Sequence, residues 1–525
     1  MKLGIDFGTT RTVVACCDRG NYPIVTFEDA NENPVDWFPS VVAERRGELR
    51  FGFDAVAVAN DREWTLLRSF KRLLSGPSSG ADLDVPIGES TFAGGDLITR
   101  FLTALREAIR TRSNCPRKKN DKELVAVVAT PANAHGAQRF VTLDAFRRAG
   151  FDVAGLLNEP SAAGFEYAHR YRGTITSKRE HILVYDLGGG TFDASLVHMA
   201  GKSHDAIATA GTNHIGGDDF DSILVAQALE LAGIDEHEVS PGALSRLRDR
   251  CRDAKEALNP SSKRIVLDLD EAFGPGPEGL ASGPREVTVP VAEYFDRCAP
   301  LVQKTLDAMA PVLLRLDARL TKKGDDPLAE LAGLYVVGGA SALPVVGRVL
   351  REAFGRRVHR SAYPSGAIAI GLAIAGDGAA GFELKDRLSR HFGVFREGHA
   401  GREVVFDSIF SRETEVPRGE ATAAVHKRVY RAAHNIGRYR FVECASLDAS
   451  GVPLGDITAY RDVLFPFDAA MRERDAKELA ALPVRRMSAE GPLIEEEYVV
   501  TPHGLVRVTI RDLESGFARA YEVGA

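Results

Sequence analysis

Two short stretches of this 525-residue sequence carry residue types that could grip a polyphosphate. Leu3-Gly4-Ile5-Asp6-Phe7-Gly8-Thr9-Thr10 and Val184-Tyr185-Asp186-Leu187-Gly188-Gly189-Gly190-Thr191 share one form: apolar strand, aspartate, glycine-bearing turn, threonine. Glycine has no Cβ, so the N–H groups of such a turn can approach phosphate oxygens closely. The threonine hydroxyls add donors. An aspartate beside the turn can hold a hydrated Mg²⁺ that bridges phosphates. One Asp-x-Gly-Thr alone is explained as well by a plain β-hairpin. Two copies about 180 residues apart point to a duplicated fold with two lobes facing one polyphosphate.

Two further glycine pairs fit the same reading. Leu334-Tyr335-Val336-Val337 runs into Gly338-Gly339-Ala340-Ser341, and Pro344 then predicts the start of a helix. Glycines at a strand-to-helix junction leave free N–H groups at a crevice, which suits a nucleoside or phosphate. Gly216-Gly217-Asp218-Asp219 is expected to open a helix at Phe220 in the same way. Either pair alone is more simply a turn. No G-x-x-x-x-G-K-[ST] string occurs, which excludes the P-loop solution.

The elements that must position these turns follow from periodicity. Up to about residue 375, short apolar runs alternate with amphipathic helices, the pattern of an α/β architecture. Strands are expected at 2–5, 13–17, 124–129, 182–185, 194–198 and 334–337. The spacing of Ile98, Phe101, Leu102, Leu105 and Ile109 predicts a helix over 96–112, capped by Asp96. Further helices are expected at 220–231 and 244–258, and after Tyr294 a pair divided at Pro311. Residues 274–284, with four glycines and three prolines, read as a surface loop.

The pattern changes after Gly376. Gly378-Ala379-Ala380-Gly381 reads as a hinge. Beyond it, strands are expected at 404–410, 440–444, 456–460, 494–500, 505–510 and 517–523, with a tight turn at Thr501-Pro502-His503-Gly504 and a helix in the charged stretch 471–479. These form a separate β-sandwich. The basic run from Lys427 to Arg440 reads first as a solvated strand face and second as a partner surface.

Composition bounds the rest. At 525 residues the chain exceeds one hydrophobic core, and 44% hydrophobic with 26% charged residues is ordinary for a folded soluble protein. A net charge of -7 gives no reason to expect nucleic acid or an anionic membrane. The six cysteines have no metal-ligand spacing and read as reduced thiols of a cytoplasmic protein. Asp6 breaks any signal-sequence core, and the longest uncharged stretch, 331–347, is too short to span a bilayer.

The motifs Asp6-Phe7-Gly8-Thr9-Thr10, Lys71-Arg72-Leu73, Asn158-Glu159-Pro160-Ser161-Ala162-Ala163, Asp186-Leu187-Gly188-Gly189-Gly190-Thr191-Phe192-Asp193, Ile215-Gly216-Gly217-Asp218-Asp219-Phe220-Asp221 and Val337-Gly338-Gly339 stand in order. Together they closely resemble the ATPase domain of the heat-shock protein 70 family, the DnaK-type chaperones, over residues 1 to about 376. The resemblance implies an actin-like, duplicated ribonuclease H-like domain at 1–376. Its lobes would be about 1–176 plus 363–376, and 177–362, followed by a linker at 377–390 and a β-sandwich at 391–525. It implies ATP or ADP with Mg²⁺ as ligands, and client polypeptide, a dedicated protein partner or co-chaperones as partners.

Roles carry over residue by residue. Asp6 and Asp186 would order the waters around Mg²⁺. Thr9, Thr10 and Gly188, Gly189, Gly190, Thr191 would hold the β- and γ-phosphates, with Gly8 and Arg11 also among the nucleotide-binding residues. Lys71 would stabilise charge on the transferred phosphoryl group and position the attacking water. Glu159 would sense the metal and couple the lobes, while Asp193 would orient or deprotonate the water. Gly216, Gly217, Lys255, Gly338, Gly339 and Ser341 would complete the nucleotide-binding set. Without the resemblance, Lys71 reads as a surface salt-bridging lysine, and Glu159 as a carboxylate favoured at a helix N-terminus.

The sequence departs from the family at the base. Glu256 and Ala342 stand where two arginines usually sandwich adenine, removing cation–π contacts worth about 0.5–2 kcal/mol each. Arg252 replaces a ribose-binding acid, Arg11 an aromatic residue or asparagine, and Tyr363-Pro364-Ser365-Gly366 lacks an acidic pair. Residues 383–388 replace a linker richer in aspartate and leucine, and no helical lid follows the sandwich before Ala525. Weakened ATP affinity with residual hydrolysis is expected. A nucleotide-dependent scaffold serving one partner complex is the alternative. A small-molecule kinase of the same fold lacks a visible substrate pocket.

Overall fold

Strands buried on both faces must be apolar along their whole length, and the central strands here are. Leu331–Val337 is buried at every residue, and Leu124–Thr130 at all but one. The computed structural model describes residues 2–59, 61, 63–75, 83–116, 123–200, 203–212, 214–273, 286–317, 328–381, 383–384, 387–398, 402–417, 423–460, 462–488 and 490–523. The expected loop at 274–284 and linker residues Phe382, Lys385 and Asp386 lie outside them. The chain divides into two compact units.

The first unit comprises Met1–Ile5, Val25–Glu159 and Glu383–Ala525. Here Lys2–Ile5 of the first strand pairs in parallel with Val125–Val128, and Leu124–Thr130 pairs in parallel with Phe151–Asn158. Helix Gly136–Arg148 connects these last two strands. Helix Gly94–Thr111 buries Ile98, Phe101, Leu102, Leu105 and Ile109, the predicted stripe. It begins two residues before Asp96, however, on an Ala93 cap with no side-chain hydrogen bond. Gly94 N–H donates to Leu83 O at 2.7 Å, so a backbone contact starts the helix. Asp96 sits in the first turn, where a carboxylate is favoured, and pairs with Arg148.

The rest of this unit is β. One sheet holds His391–Gly398, Glu403–Phe410, Ile436–Leu447 and Pro453–Ala459, with Val463–Pro466 joined to Ile436–Leu447. The other runs Val425–Arg431, Leu493–Val500, Val506–Asp512, Ala518–Glu522. Phe392, Val394, Phe441, Ile494, Tyr498 and Val508 pack into one core drawn from both sheets, which makes this a sandwich. Gly504, at φ 71°, closes the predicted hairpin turn, and Thr501 N–H donates to Leu505 O at 2.8 Å.

Of the basic run, Lys427 to Arg431 lies on the edge strand Val425–Arg431 and Arg438 and Arg440 on Ile436–Leu447; the edge strand's charges are answered from its own sheet and from the facing one. Lys427 Nζ lies 2.6 Å from Glu497, and Arg428 lies 2.7 Å from Asp407. The charged stretch 471–479 does not form one helix. It contributes to a 3₁₀ turn, Ala469–Met471, and to a short helix, Ala476–Ala480, started by an Asp475–Glu478 capping box.

The second unit comprises Asp6–Ile24 and Pro160–Phe382. Its sheet runs Val358–Arg360, Leu331–Val337, His181–Leu187, Phe192–Ala200, Ser203–Thr212. Helices Gly217–Ala232, Pro241–Glu256 and Val291–Ala308 bury a common apolar core with this sheet. Pro311 stands second in helix Ala310–Asp317, as expected, while Pro300 is accommodated inside Val291–Ala308. Helix Ala367–Gly376 crosses the helix after Glu159 so closely that a Cβ at Gly371 would overlap Ala162 O. The predicted hinge is a 3₁₀ turn, Gly378–Ala380, ended by Gly381 at φ 68°. All six cysteines are free thiols, five of them buried. Among the described residues no helix is long and apolar enough to cross a membrane.

Candidate functional site

Four glycine-bearing turns converge in the second unit. Strand His181–Leu187 turns back through Gly188–Thr191 into Phe192–Ala200, with Gly188 N–H donating to Thr191 O at 3.0 Å. The register sets Asp186 directly opposite Asp193, and Leu187 opposite Phe192. The turn is then braced by its neighbour: Gly217 N–H donates to Gly188 O at 2.9 Å and Asp218 N–H to Gly189 O at 2.8 Å. Glycine is required for that approach. A Cβ on Gly216 would lie 2.5 Å from Gly190 Cα, and one on Gly189 only 2.6 Å from Thr10 Cγ2.

The last contact joins the two repeated motifs. Thr10, from the turn between Asp6 and Arg11, sits against Gly189 of the second motif. The fourth turn follows Leu331–Val337, whose Val337 is the parallel neighbour of Asp186. Gly338 adopts φ 86°, a left-handed conformation, and a Cβ there would strike Asp186 Oδ1. Ser341 is buried, its hydroxyl donating to Gly338 O at 2.6 Å, so it stiffens the turn. Gly339 opens the 3₁₀ turn before helix Pro344–Phe354, and Ala340 Cβ would lie 3.5 Å from a Cβ on Gly217.

Helix Gly217–Ala232 starts three residues earlier than its apolar pattern suggested, because Asp219 accepts from Gly216 N–H at 2.7 Å as a cap. Helix Pro241–Glu256, capped by Ser240, fastens this region from behind. Lys255 is buried, with Nζ 2.5 Å from Asp221 Oδ1 and 2.9 Å from Gly217 O. Arg252 reaches Asp221 at 3.1 Å and Asp218 at 3.3 Å. The last helical residue, Glu256, pairs with Arg11. That pair escaped sequence reasoning, since its members stand 245 positions apart.

Lys71 and Glu159 belong to the first unit. Lys71 lies on the 3₁₀ turn Phe70–Ser75, anchored by buried Phe70, and Glu159 follows strand Phe151–Asn158 as the first residue of helix Glu159–Arg170. Their charged groups meet at 3.0 Å, with side chains only 11% and 13% exposed. Lys71 is therefore a nearly buried, paired cation.

The first unit also holds a polar junction that the sequence did not reveal. Buried Arg139 donates through Nη1 to Asn158 Oδ1 at 2.8 Å and to Thr130 Oγ1 at 3.1 Å. Through Nε and Nη2 it donates to His503 O, in the sandwich's hairpin turn, at 3.2 and 2.9 Å. Gly136 N–H donates to Glu443 Oε2 at 2.9 Å, and Ser389 Oγ to Ala134 O at 2.8 Å. Burial holds the Glu443 carboxyl above the usual carboxylate range. The available signal was Arg139 on an otherwise buried helix face.

A sheet ending in paired aspartates, with converging glycine turns and threonine hydroxyls, defines a nucleotide-binding protein of the actin-like fold. Residues 2–389 match the sequence profile of the family described as Hsp70 protein. The chain belongs to the Hsp70 family. Its architecture is accordingly the actin-like two-lobed ATPase followed by a β-sandwich. Members of this family are in general nucleotide-binding chaperones and ATPases, normally bind ATP or ADP with Mg²⁺, and generally act on client polypeptides with co-chaperones.

The residues present fit such a ligand. The turns at Gly188–Thr191, Gly216–Gly217 and Gly338–Gly339 approach one another, Thr10 and Asp186 more closely than Cβ atoms would allow, which gathers them at one place beside the paired aspartates. Among the described residues no group of three or more His, Cys, Asp or Glu is arranged to hold a metal ion directly. The aspartates in hand, Asp6, Asp186 and Asp193, suit a cation held through water.

Proposed function

We propose that this chain binds ATP and ADP with Mg²⁺ and hydrolyses ATP slowly, nucleotide state controlling how the β-sandwich holds a client or partner protein. The observation that carries the reading is the meeting of Thr10 with Gly189, which brings the two repeated motifs to one place. The two turns, Gly8 to Thr10 and Gly188 to Thr191, receive the phosphates through donors other than the N–H groups of Gly8 and Gly188, which close the turns onto Asp6 O and Thr191 O. Asp6 and Asp186 hold the waters of the Mg²⁺ shell, and Asp193, across the strand pair from Asp186, orients the attacking water. Mg²⁺ supplies charge neutralisation between the phosphates. Lys71, aimed by Glu159, stabilises the transferred group. Gly216, Gly217, Gly338, Gly339 and Ser341 shape the nucleoside side, with Lys255 fixing Gly217.

In this reading residues 1–376 form the nucleotide-binding part, 377–390 the linker and 391–525 the partner-binding part, in a cytoplasmic protein. ATP turnover by the purified chain should be slow, Mg²⁺-dependent and without need of a metabolite. Turnover that appears only with a small-molecule acceptor would contradict it.

A second reading, a nucleotide-dependent scaffold with little hydrolysis, is favoured by Glu256 and Ala342 at the adenine positions. Recovery of bound proteins from a Lys71→Ala chain held with ATP separates the two. Many unfolded polypeptides support the chaperone, and one stoichiometric partner supports the scaffold.

A further inference from the structure

Arg11 follows the first phosphate turn directly and opens strand Arg11–Cys16. Its guanidinium is engaged by the carboxylate of Glu256. Glu256 is poorly suited to its own position, because a carboxylate on the last residue of a helix faces the negative end of the dipole. Two further acids, Asp249 and Asp253, stand on the same helix, and Asp253 is raised above the usual carboxylate range by burial and by the charges of Glu256 and Asp249.

The backbone carrying Glu256 is held firmly. One residue before it, Lys255 is fixed to Gly217 O and Asp221, and Arg252 is fixed to Asp221 and Asp218. Asp218 in turn donates its N–H to Gly189 O, within the second phosphate turn. The Arg11–Glu256 pair itself is open to water, with side chains 26% and 38% exposed. Rigid anchors with an exposed, weakly stabilised ion pair between them describe a contact that can exchange at little cost.

We propose that Glu256 is a built-in competitor for the phosphate site: it holds Arg11 until the phosphates of a nucleotide replace its carboxylate. The inference rests on the nucleotide reading above and adds its regulation. A guanidinium can take either carboxylate or phosphate oxygens in its planar fork, and it exchanges one for the other without changing protonation. A ligand with more phosphates displaces Glu256 more effectively than one with none. Affinity therefore depends on phosphate number more steeply than the base contacts alone provide. Release of Glu256 also leaves the end of helix Pro241–Glu256 with an unanswered carboxylate, which favours return of Arg11 after the phosphates leave.

The test is calorimetric titration of ATP, ADP and adenosine into the wild-type chain, Glu256→Gln, Arg11→Gln and the double variant. Glu256→Gln should tighten ATP and ADP roughly two- to fivefold, the range of an exposed ion pair, and tighten adenosine by clearly less. Arg11→Gln should weaken ATP and ADP, and in its background Glu256→Gln should have no further effect. Wild-type binding that Glu256→Gln leaves unaltered overturns the competitor and spares the nucleotide reading. An equal gain for adenosine, or the same gain without Arg11, also overturns it, since Glu256 would then act on the base or through its general field. Absence of binding by all four chains overturns both.

Discussion

Removing one charge from the Lys71–Glu159 pair should damage the fold and the chemistry by separable amounts. The pair meets at 3.0 Å with both side chains at least 87% buried, so neither charge can be rehydrated fully when its partner goes. Deleting one member of a fully buried pair costs about 3–5 kcal/mol. The residual water access here lowers the expectation to about 2–3 kcal/mol for Lys71→Met or Glu159→Gln alone. Replacing both removes the orphaned charge, so the double variant should recover about 1–2 kcal/mol relative to the additive sum. Urea unfolding of the four chains gives the stability cycle. ATP turnover gives the other half: every chain lacking Lys71 should lose about 100- to 1000-fold in kcat, the double variant included. The reasoning is refuted if each single variant costs under about 0.5 kcal/mol and the two add, because the pair then behaves as a solvated surface contact. Lys71 leaves the mechanism if turnover follows stability, recovering in the double variant.

Two further expectations concern the units separately. Burial beside Phe165 depresses His204 to about 4, so it stays neutral in the fold while the unfolded chain takes up a proton near its ordinary value of 6.5. Stability should therefore fall as pH drops from about 6.5 to about 4, by about 3 kcal/mol in all. His204→Gln should flatten that limb of the urea-midpoint profile, and an unchanged slope would exclude His204 as its source. In the first unit, Glu443→Ala leaves Gly136 N–H without its acceptor at a cost of about 1–3 kcal/mol. Hydrogen exchange at the start of helix Gly136–Arg148 should quicken, and unchanged protection there would show the contact to be dispensable.

What the sequence disclosed was what is local. The phosphate turns, their flanking strands and the alternation of Val506–Asp512 are written in consecutive residues, and periodicity finds them. The partnership of Lys71 with Glu159 spans 88 positions, and only resemblance to a family singled those residues out. Asp96 was misplaced as a cap because capping depends on where the backbone begins to turn, and Gly94 is bonded to Leu83 O first. Strand Val425–Arg431 carries few apolar residues, so only its position opposite Glu495 and Glu497 explains how it pairs. The junction at Arg139, Gly136, Glu443 and His503 joins residues over 300 positions apart, beyond any window of sequence pattern.

The central claim, that the converging glycine turns form a phosphate cradle, is tested most directly by amide hydrogen exchange with and without Mg²⁺ and ATP. Amides of Gly188 to Thr191 and of Gly8 to Thr10 should slow by at least about tenfold together, and Gly189→Val, whose side chain would enter the space of Thr10, should abolish the effect. Equal exchange in both conditions at saturating ligand, or protection that survives Gly189→Val, would contradict it.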